Sequence, residues 1–75
     1  MSKISSPEEL GAFIRSCRKE EGITQEELTD LVFASKKFLV DLERGKETAQ
    51  IGKIFTVMEG LGITMHLSTR KDEGL

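Results

Sequence analysis

The sequence predicts an all-α domain of four to five helices that is followed by one C-terminal β-strand. Apolar residues recur with the 3.6-residue period of a helix in four segments, most of which begin at a capping residue and are followed by glycine. After Gly62 the apolar period changes to two, which is typical of a strand. A chain of 75 residues has room for one small domain. We expect an N-terminal arm over residues 1–6, the domain with its strand over 7–68, and a flexible tail over 69–75.

The first helix is predicted to begin at a capping serine. Ser6 precedes Pro7, which suits the first helical position, and Glu9 stands three residues after the cap. The helix then carries an apolar stripe at helical spacing, formed by Leu10, Phe13, Ile14 and Cys17. Gly22 follows, where a left-handed residue can close the last turn.

Two shorter helices come next. Thr24 and Glu27 form a capping box at the start of the second helix, and Ser35 caps the third, which Gly45 follows. The apolar positions are Leu28, Leu31 and Val32 in the second helix, and Leu39 and Leu42 in the third. Two short helices separated by about three residues satisfy the helix-turn-helix pattern, in which the second helix enters the major groove of DNA.

The fourth helix and the strand complete the fold. Thr48 is the expected cap of a helix whose apolar residues are Ile51, Ile54, Phe55, Met58 and Leu61. In the strand, Ile63, Met65 and Leu67 alternate with polar residues. A lone strand leaves its backbone donors and acceptors unpaired, and the same strand of a second copy is the simplest partner. We therefore expect a homodimer whose interface contains Ile63, Met65, Leu67 and the fourth helix.

The charge is arranged in blocks, although the formal net charge is only -2. Residues 20–30 contain five acidic side chains and no basic one (Glu20, Glu21, Glu26, Glu27 and Asp30), whereas residues 35–46 contain Lys36, Lys37, Arg44 and Lys46 against two acids. An ordinary mixed surface is the simple interpretation of this pattern. The alternative is a local basic patch for a polyanion.

The segment from Gly22 to Lys46 carries the most specific motifs. It reads Gly-Ile-Thr-Gln-Glu-Glu-Leu at 22–28, then Ser35, then Leu-Glu-Arg-Gly-Lys at 42–46. Over residues 8–67 the chain resembles the Xre/Cro family of helix-turn-helix regulators, and within that family it is most similar to HipB-type antitoxins. The resemblance implies a lambda repressor-like domain that binds a palindromic operator as a homodimer and represses transcription.

The same resemblance implies which side chains contact DNA. The family's base-reading positions fall on Ser35, Lys36, Lys37, Val40 and Asp41, and its phosphate-binding positions on Thr24, Gln25, Arg44 and Lys46. Lysine can donate to guanine, and a valine methyl can pack on a thymine methyl. Asp41 would accept from a cytosine amine or would orient a lysine. For Thr24 the capping role is favoured over phosphate binding.

Four further residues have structural or partner roles in this interpretation. Arg18 and Glu43 occupy positions that form a scaffold ion pair in many members of the family. Phe33 stands where the turn between the second and third helices usually has glycine, which implies strain if positive φ is needed there. Phe33 and Phe38 then either pack into the core or form an exposed patch for a protein partner.

The remaining residues give little sign of chemistry. One cysteine, Cys17, and one histidine, His66, are too few for a multi-cysteine or paired-histidine metal site, and Cys17 has no nearby histidine to act as a base. We expect no enzyme activity, no catalytic residue, no metal and no cofactor. With no signal-like start and no apolar run of membrane-spanning length, the expected location is the bacterial cytoplasm.

The resemblance to HipB-type antitoxins also implies partners. The protein would bind double-stranded operator DNA, pair with itself, repress its own operon and neutralise a HipA-like serine/threonine kinase toxin. Two alternatives stay open. One is a stand-alone, phage-like Xre-type repressor without a toxin partner, and the other is a protein-interaction module of the same fold that no longer binds DNA.

Overall fold

The computed structural model describes residues 3–72, which form four α-helices: α1 (Pro7–Glu20), α2 (Gln25–Leu31), α3 (Lys36–Glu43) and α4 (Ile51–Gly60). These helices coincide with the four segments of helical periodicity, so the predicted all-α class is confirmed. The expected arm and tail stay predictions; residues 1–2 of the arm and 73–75 of the tail lie outside the described residues.

The first three helices start at the expected caps. Ser6 Oγ accepts a hydrogen bond from the Glu9 backbone N–H at 3.1 Å, and Ser35 Oγ accepts one from the Phe38 N–H at 3.0 Å. At α2 the box is complete: Thr24 Oγ1 accepts from the Glu27 N–H at 3.1 Å, and the Glu27 carboxylate accepts from the Thr24 N–H at 2.8 Å. Each cap satisfies a backbone donor that the first helical turn leaves unpaired.

The expected cap of α4 is wrong. Thr48 lies in a turn two residues before the cap, which is Gln50, and Gln50 makes no side-chain capping bond. The first turn is closed by the Ile54 N–H, which donates to the Gln50 carbonyl at 3.1 Å. Because Ile54, Val57 and Met58 pack against or within the core, packing rather than a capping side chain decides where this helix begins.

Glycines with positive φ follow α1, α3 and α4 as expected, at Gly22, Gly45 and Gly62. Gly45 shows why a glycine is needed after α3. Its φ is +89°, and a Cβ built on it would lie 2.8 Å from the Glu8 Cα, so the end of α3 passes directly against the start of α1. In the turn between α2 and α3 the geometry differs from the glycine type. No residue other than glycine within residues 3–72 has a positive φ, and therefore Phe33 carries no left-handed strain.

The core lies where the four helices meet. Ile14, Leu28, Leu39 and Val57, one from each helix, have no exposed surface. α1 packs on α3, while α2 packs on both α3 and α4. Gly11 lets α1 approach the backbone of α3 at Leu42, where a Cβ would collide with the Leu42 carbonyl oxygen. This packing turns Leu39 and Leu42 inward, so the opposite side of α3 faces outward.

The predicted C-terminal strand is not formed within the described chain. Ile63 is half-buried against the core, and its N–H donates to the Met58 carbonyl at 2.8 Å. Residues 63–69 have neither helix nor strand, and Met65 and Leu67 are exposed by 45% and 88%. A strand exists only with a hydrogen-bonded neighbour, and the neighbour expected here is a second copy. The predicted pairing across a dimer therefore stays a prediction.

Candidate nucleic-acid interface

The outward side of α3 brings the five predicted base-reading residues together. Ser35, Lys36 and Lys37 at the start of the helix are exposed, and Val40 and Asp41 lie half-buried one turn later. Positions 36, 37, 40 and 41 share one side of a helix, opposite the buried Leu39 and Leu42. We call the surface formed by Ser35, Lys36, Lys37, Val40 and Asp41 the recognition face.

Every lysine at this surface is paired with a carboxylate. Lys36 Nζ forms a hydrogen-bonded ion pair with Glu26 of α2. Lys37 Nζ donates to Asp41 Oδ2 at 2.9 Å, one turn along α3, and Lys46 Nζ lies 3.6 Å from the same oxygen. Acidic and basic groups therefore alternate across the surface.

The lysines hold both carboxylates in the charged form. The hydrogen bond from Lys36 lowers the pKa of Glu26, and the hydrogen bond from Lys37, with a smaller effect of Lys46, lowers the pKa of Asp41. At neutral pH the surface thus presents acceptors beside donors.

Behind the recognition face, a buried ion pair joins α1 to α3. Arg18 Nε donates to Glu43 Oε2 at 2.7 Å and its Nη2 donates to Oε1 at 3.0 Å, with both residues less than 10% exposed. Arg18 Nη1 also donates to the Ile23 carbonyl at 2.8 Å. The hydrogen bond to Glu43 raises the pKa of Arg18. The two residues thus lie together as the predicted scaffold pair.

The predicted phosphate-binding residues lie around the recognition face in different settings. Gln25 Nε2 donates to Glu43 Oε1 at 3.1 Å, so its side chain extends the buried ion pair. Thr24 is exposed and caps α2. Arg44, at the C-terminal cap of α3, and Lys46 are both exposed beside the recognition face. Their phosphate contacts stay predictions.

A curated relative decides the family. The uncharacterised HTH-type transcriptional regulator y4mF of Sinorhizobium fredii (strain NBRC 101917 / NGR234) is 42% identical over 65 residues, which cover 87% of this chain and 86% of the relative. This chain belongs to the HTH-type transcriptional regulators. No family model matches the chain.

Solved structures agree with this fold. The HipB–O4 20mer complex and the HipA–HipB–O2–O3 complex match with TM-scores of 0.85 and 0.86, each at 23% identity and covering 93% of the regulator and 99% of the matched chain. The clp gene regulator ClgR from C. glutamicum is 32% identical with a TM-score of 0.70, covering 83% of the regulator and 80% of the ClgR chain. The predicted resemblance to helix-turn-helix regulators, and to HipB in fold, is confirmed.

The two phenylalanines of the predicted partner patch have separate environments. Phe33, in the helix-turn-helix turn of the regulator, is 99% exposed, which leaves it no contact with the Phe38 ring. Phe38 is half-buried against the core, with Lys53 Nζ 5.7 Å from its ring centroid. Core packing is therefore wrong for Phe33 and holds in part for Phe38. A partner contact stays a prediction.

Cys17 and His66, the single cysteine and the single histidine, lie apart from the recognition face. Cys17 is half-buried, and burial raises the pKa of its thiol. His66 lies 3.3 Å from the Thr64 hydroxyl on the exposed C-terminal segment. Within residues 3–72 no group of His, Cys, Asp or Glu side chains is arranged to hold a metal ion. In the same part of the regulator, no helix is long and apolar enough to cross a membrane.

Glu26 is a residue of this interface that the sequence reasoning missed. Its carboxylate lies on α2 and reaches Lys36 of α3 across the turn. The acidic run of residues 20–30 next to the basic run of 35–46 was the available signal. The sequence pattern showed both blocks of charge, but which lysine pairs with Glu26 depends on the angle at which α2 and α3 cross.

Proposed function

We propose that the protein is a sequence-specific, DNA-binding transcriptional repressor that places α3 in the major groove of its operator. The observation that carries the proposal is the recognition face: a polar surface at the start of the second helix of a helix-turn-helix, opposite a fully buried side. An α-helix fits the major groove of B-DNA, and residues at its N-terminal end reach base edges. Such a repressor acts in the bacterial cytoplasm, where the nucleoid lies.

A homodimer and a palindromic operator belong to this proposal. Met65 and Leu67 expose apolar side chains on a segment that forms neither helix nor strand, and Ile51 and Phe55 do so on α4. A second copy would cover these side chains and pair residues 63–67 as strands. Two recognition helices then bind half-sites about 34 Å apart, one turn of the DNA helix. The dimer doubles the number of phosphate contacts.

The test is a titration of labelled DNA from upstream of the gene, read by fluorescence anisotropy at about 50 and 200 mM salt. A repressor that makes several phosphate contacts binds at low salt and loses affinity by several orders of magnitude at high salt. Unlabelled operator competes for binding, whereas a scrambled duplex of the same length competes poorly. No binding at low salt would leave a protein-interaction module of the same fold as the function.

The finer proposal is that this repressor is the antitoxin of a HipA-like kinase. It is supported by the match to the HipB chain in a HipA–HipB–O2–O3 complex, which extends over nearly the whole of both chains. The expected result is that one equivalent of the protein suppresses the activity of a HipA-like kinase encoded beside it and co-purifies with that kinase.

A stand-alone regulator is the second candidate, and the likeness to ClgR favours it. ClgR, described as a clp gene regulator, has a higher sequence identity to this chain (32%) than the HipB structures have (23%). Operator binding without any effect on a neighbouring kinase would select this candidate. Operator binding is common to both candidates.

A further inference from the structure

Two lysine–carboxylate pairs lie at the recognition face. Lys36 of α3 pairs with Glu26 of α2, and the two side chains are 56% and 61% exposed. Lys37 pairs with Asp41, and these side chains are 81% and 27% exposed. The ammonium and carboxylate groups of both pairs remain accessible to a ligand. We name them the Lys36–Glu26 pair and the Lys37–Asp41 pair.

Carboxylates at this place need an explanation, because a surface that approaches DNA is repelled by added negative charge. Glu26 and Asp41 keep their charge, since the lysines favour the ionised form. Within a duplex, a carboxylate is well placed only where a base edge offers it a donor. The cytosine N4 amine is such a donor in the major groove.

The lysine of each pair keeps enough donors for the other base. An ammonium group has three N–H donors and no acceptor. One donor is used on the carboxylate, and two remain for guanine, which offers the O6 and N7 acceptors. The carboxylate in turn keeps lone pairs that the lysine does not use. Each pair therefore presents two donors beside an acceptor.

This order of groups matches one kind of base pair. The major-groove edge of G·C presents two adjacent acceptors on guanine and then the donor on cytosine. The edge of A·T places the adenine N6 donor between two acceptors and adds the thymine methyl group. A lysine–carboxylate pair presents two donors and then an acceptor. Of the two base pairs, only G·C offers the complementary order of two acceptors and then a donor.

We propose that the Lys36–Glu26 and Lys37–Asp41 pairs are composite readers of G·C pairs, in which the lysine binds guanine while the carboxylate accepts from cytosine. The inference rests on the proposed operator binding and adds to it the base identity that each half-site must contain. Glu26, on the helix outside the recognition face, thereby becomes a specificity-determining residue.

The pairing also lowers binding to DNA of random sequence. A lysine held on a carboxylate must give up that contact before its side chain can swing to a phosphate, whereas it keeps the contact while it reads G·C. Removal of the carboxylate is then expected to raise affinity for random duplex and to lower discrimination. The two effects have opposite signs, and a general loss of binding does not produce them.

The experiment is a binding-site selection on a duplex library with a randomised 20-base-pair core, using the full chain. The variants are Glu26→Ala, Lys36→Ala, Asp41→Ala and Lys37→Ala. Asp30→Ala and Glu47→Ala are matched controls for the two carboxylate variants, because each removes a negative charge from an exposed position outside both pairs. Thermal melting followed by circular dichroism verifies that every variant is folded.

We expect the wild-type protein to select G·C at two positions of each half-site. Glu26→Ala and Lys36→Ala each relax the same position by about tenfold or more, and Asp41→Ala and Lys37→Ala relax the other. The controls keep both preferences. Selection of A·T at the positions that Lys36→Ala relaxes, or retention of the G·C preference in Glu26→Ala, would overturn the inference.

Modified bases then separate direct reading from mere positioning of the lysine. N4-methylcytosine, placed only at the position that Glu26→Ala relaxes, removes the groove-facing donor there and is expected to weaken wild-type binding about tenfold and to leave Glu26→Ala unaffected. 7-Deazaguanine, which lacks N7, weakens the binding of the wild type but not of Lys36→Ala when it replaces only the guanine of that same base pair. Equal losses in wild type and Glu26→Ala on N4-methylcytosine would refute the carboxylate contact. Wild-type protein that retains no duplex at all would instead refute operator binding itself.

Discussion

Arg18 of α1 and Glu43, the last residue of α3, form a buried ion pair through two hydrogen bonds of 2.7 and 3.0 Å, although they are 25 residues apart in the chain. Gln25 of α2 donates to the same carboxylate at 3.1 Å. One carboxylate thus joins the three helices that carry and support the recognition face. The orientation of α3 relative to α2 depends on this contact.

Removing one member of the pair is expected to destabilise the fold strongly. Glu43→Ala leaves the Arg18 guanidinium buried without its counter-charge and should lower the free energy of unfolding by about 3 kcal/mol. Urea denaturation measures the change. The double variant Arg18→Met/Glu43→Leu serves as the comparison, because it leaves no unpaired charge and should lose less. Equal losses in the single and double variants would contradict this account of the pair.

Gln25→Ala tests a residue with two expected roles. It removes a hydrogen bond to a buried carboxylate and should lower the free energy of unfolding by about 1.5 kcal/mol. Gln25 is also predicted to bind phosphate, so operator affinity should fall by about three- to tenfold, while the slope of log affinity against log salt should stay unchanged because the side chain carries no charge. Gln25→Glu is the paired variant, since it keeps the size of the side chain but places a second carboxylate beside Glu43. Unchanged operator affinity in Gln25→Ala would leave Gln25 with the scaffold role alone.

Phe33→Ser should leave the stability of the isolated protein unchanged within about 0.5 kcal/mol, because the ring is 99% exposed and has no packing to lose. Leu39→Ala is the control from the neighbouring helix. Its side chain has no exposed surface, and its truncation should cost about 2–5 kcal/mol. Thermal melts of the two variants are compared with wild type. A large loss in Phe33→Ser would mean that the ring packs in the dimer.

Leu67→Asp should convert the predicted dimer into monomers, because it places a charge in the middle of the expected strand pair. The side chain is 88% exposed in the single chain, so the monomer itself should stay folded. Sedimentation velocity gives the mass, and circular dichroism gives the fold. His66→Asp, whose side chain would lie on the opposite side of the same strand, is the control that should stay dimeric. A dimeric Leu67→Asp variant would refute the strand pairing.

The turn between α2 and α3 shows where a family pattern reaches its limit. Glycine at position 33 would indicate a left-handed turn, and a phenylalanine there predicted strain or an altered geometry. The backbone takes a different course, with Val32 extended at φ −125° and ψ 152°, and no strain results. The sequence showed that the position was unusual, but the route of the chain depends on how α2 and α3 pack on the core.

Local features of this regulator were determined by the sequence itself. The caps at Ser6, Thr24 and Ser35 and the left-handed glycines involve residues within a few positions of one another, so their hydrogen bonds and backbone angles follow from neighbouring side chains. The inward side of each helix follows from the apolar period for the same reason. These features together specify four helices and the outward side of α3.

Contacts between helices were decided by the tertiary structure alone. The hydrogen bond from Gln25 to Glu43 and the Lys36–Glu26 pair each join groups whose separation in space depends on helix crossing angles. The start of α4 depends on the packing of its apolar residues on the core. Periodicity and capping contain no information about those angles, because many crossings would bury the same apolar stripes. The close approach at Gly11 and Gly45 and the shape of the packed core select one crossing, and that crossing places the Glu26 carboxylate beside Lys36 of the recognition face.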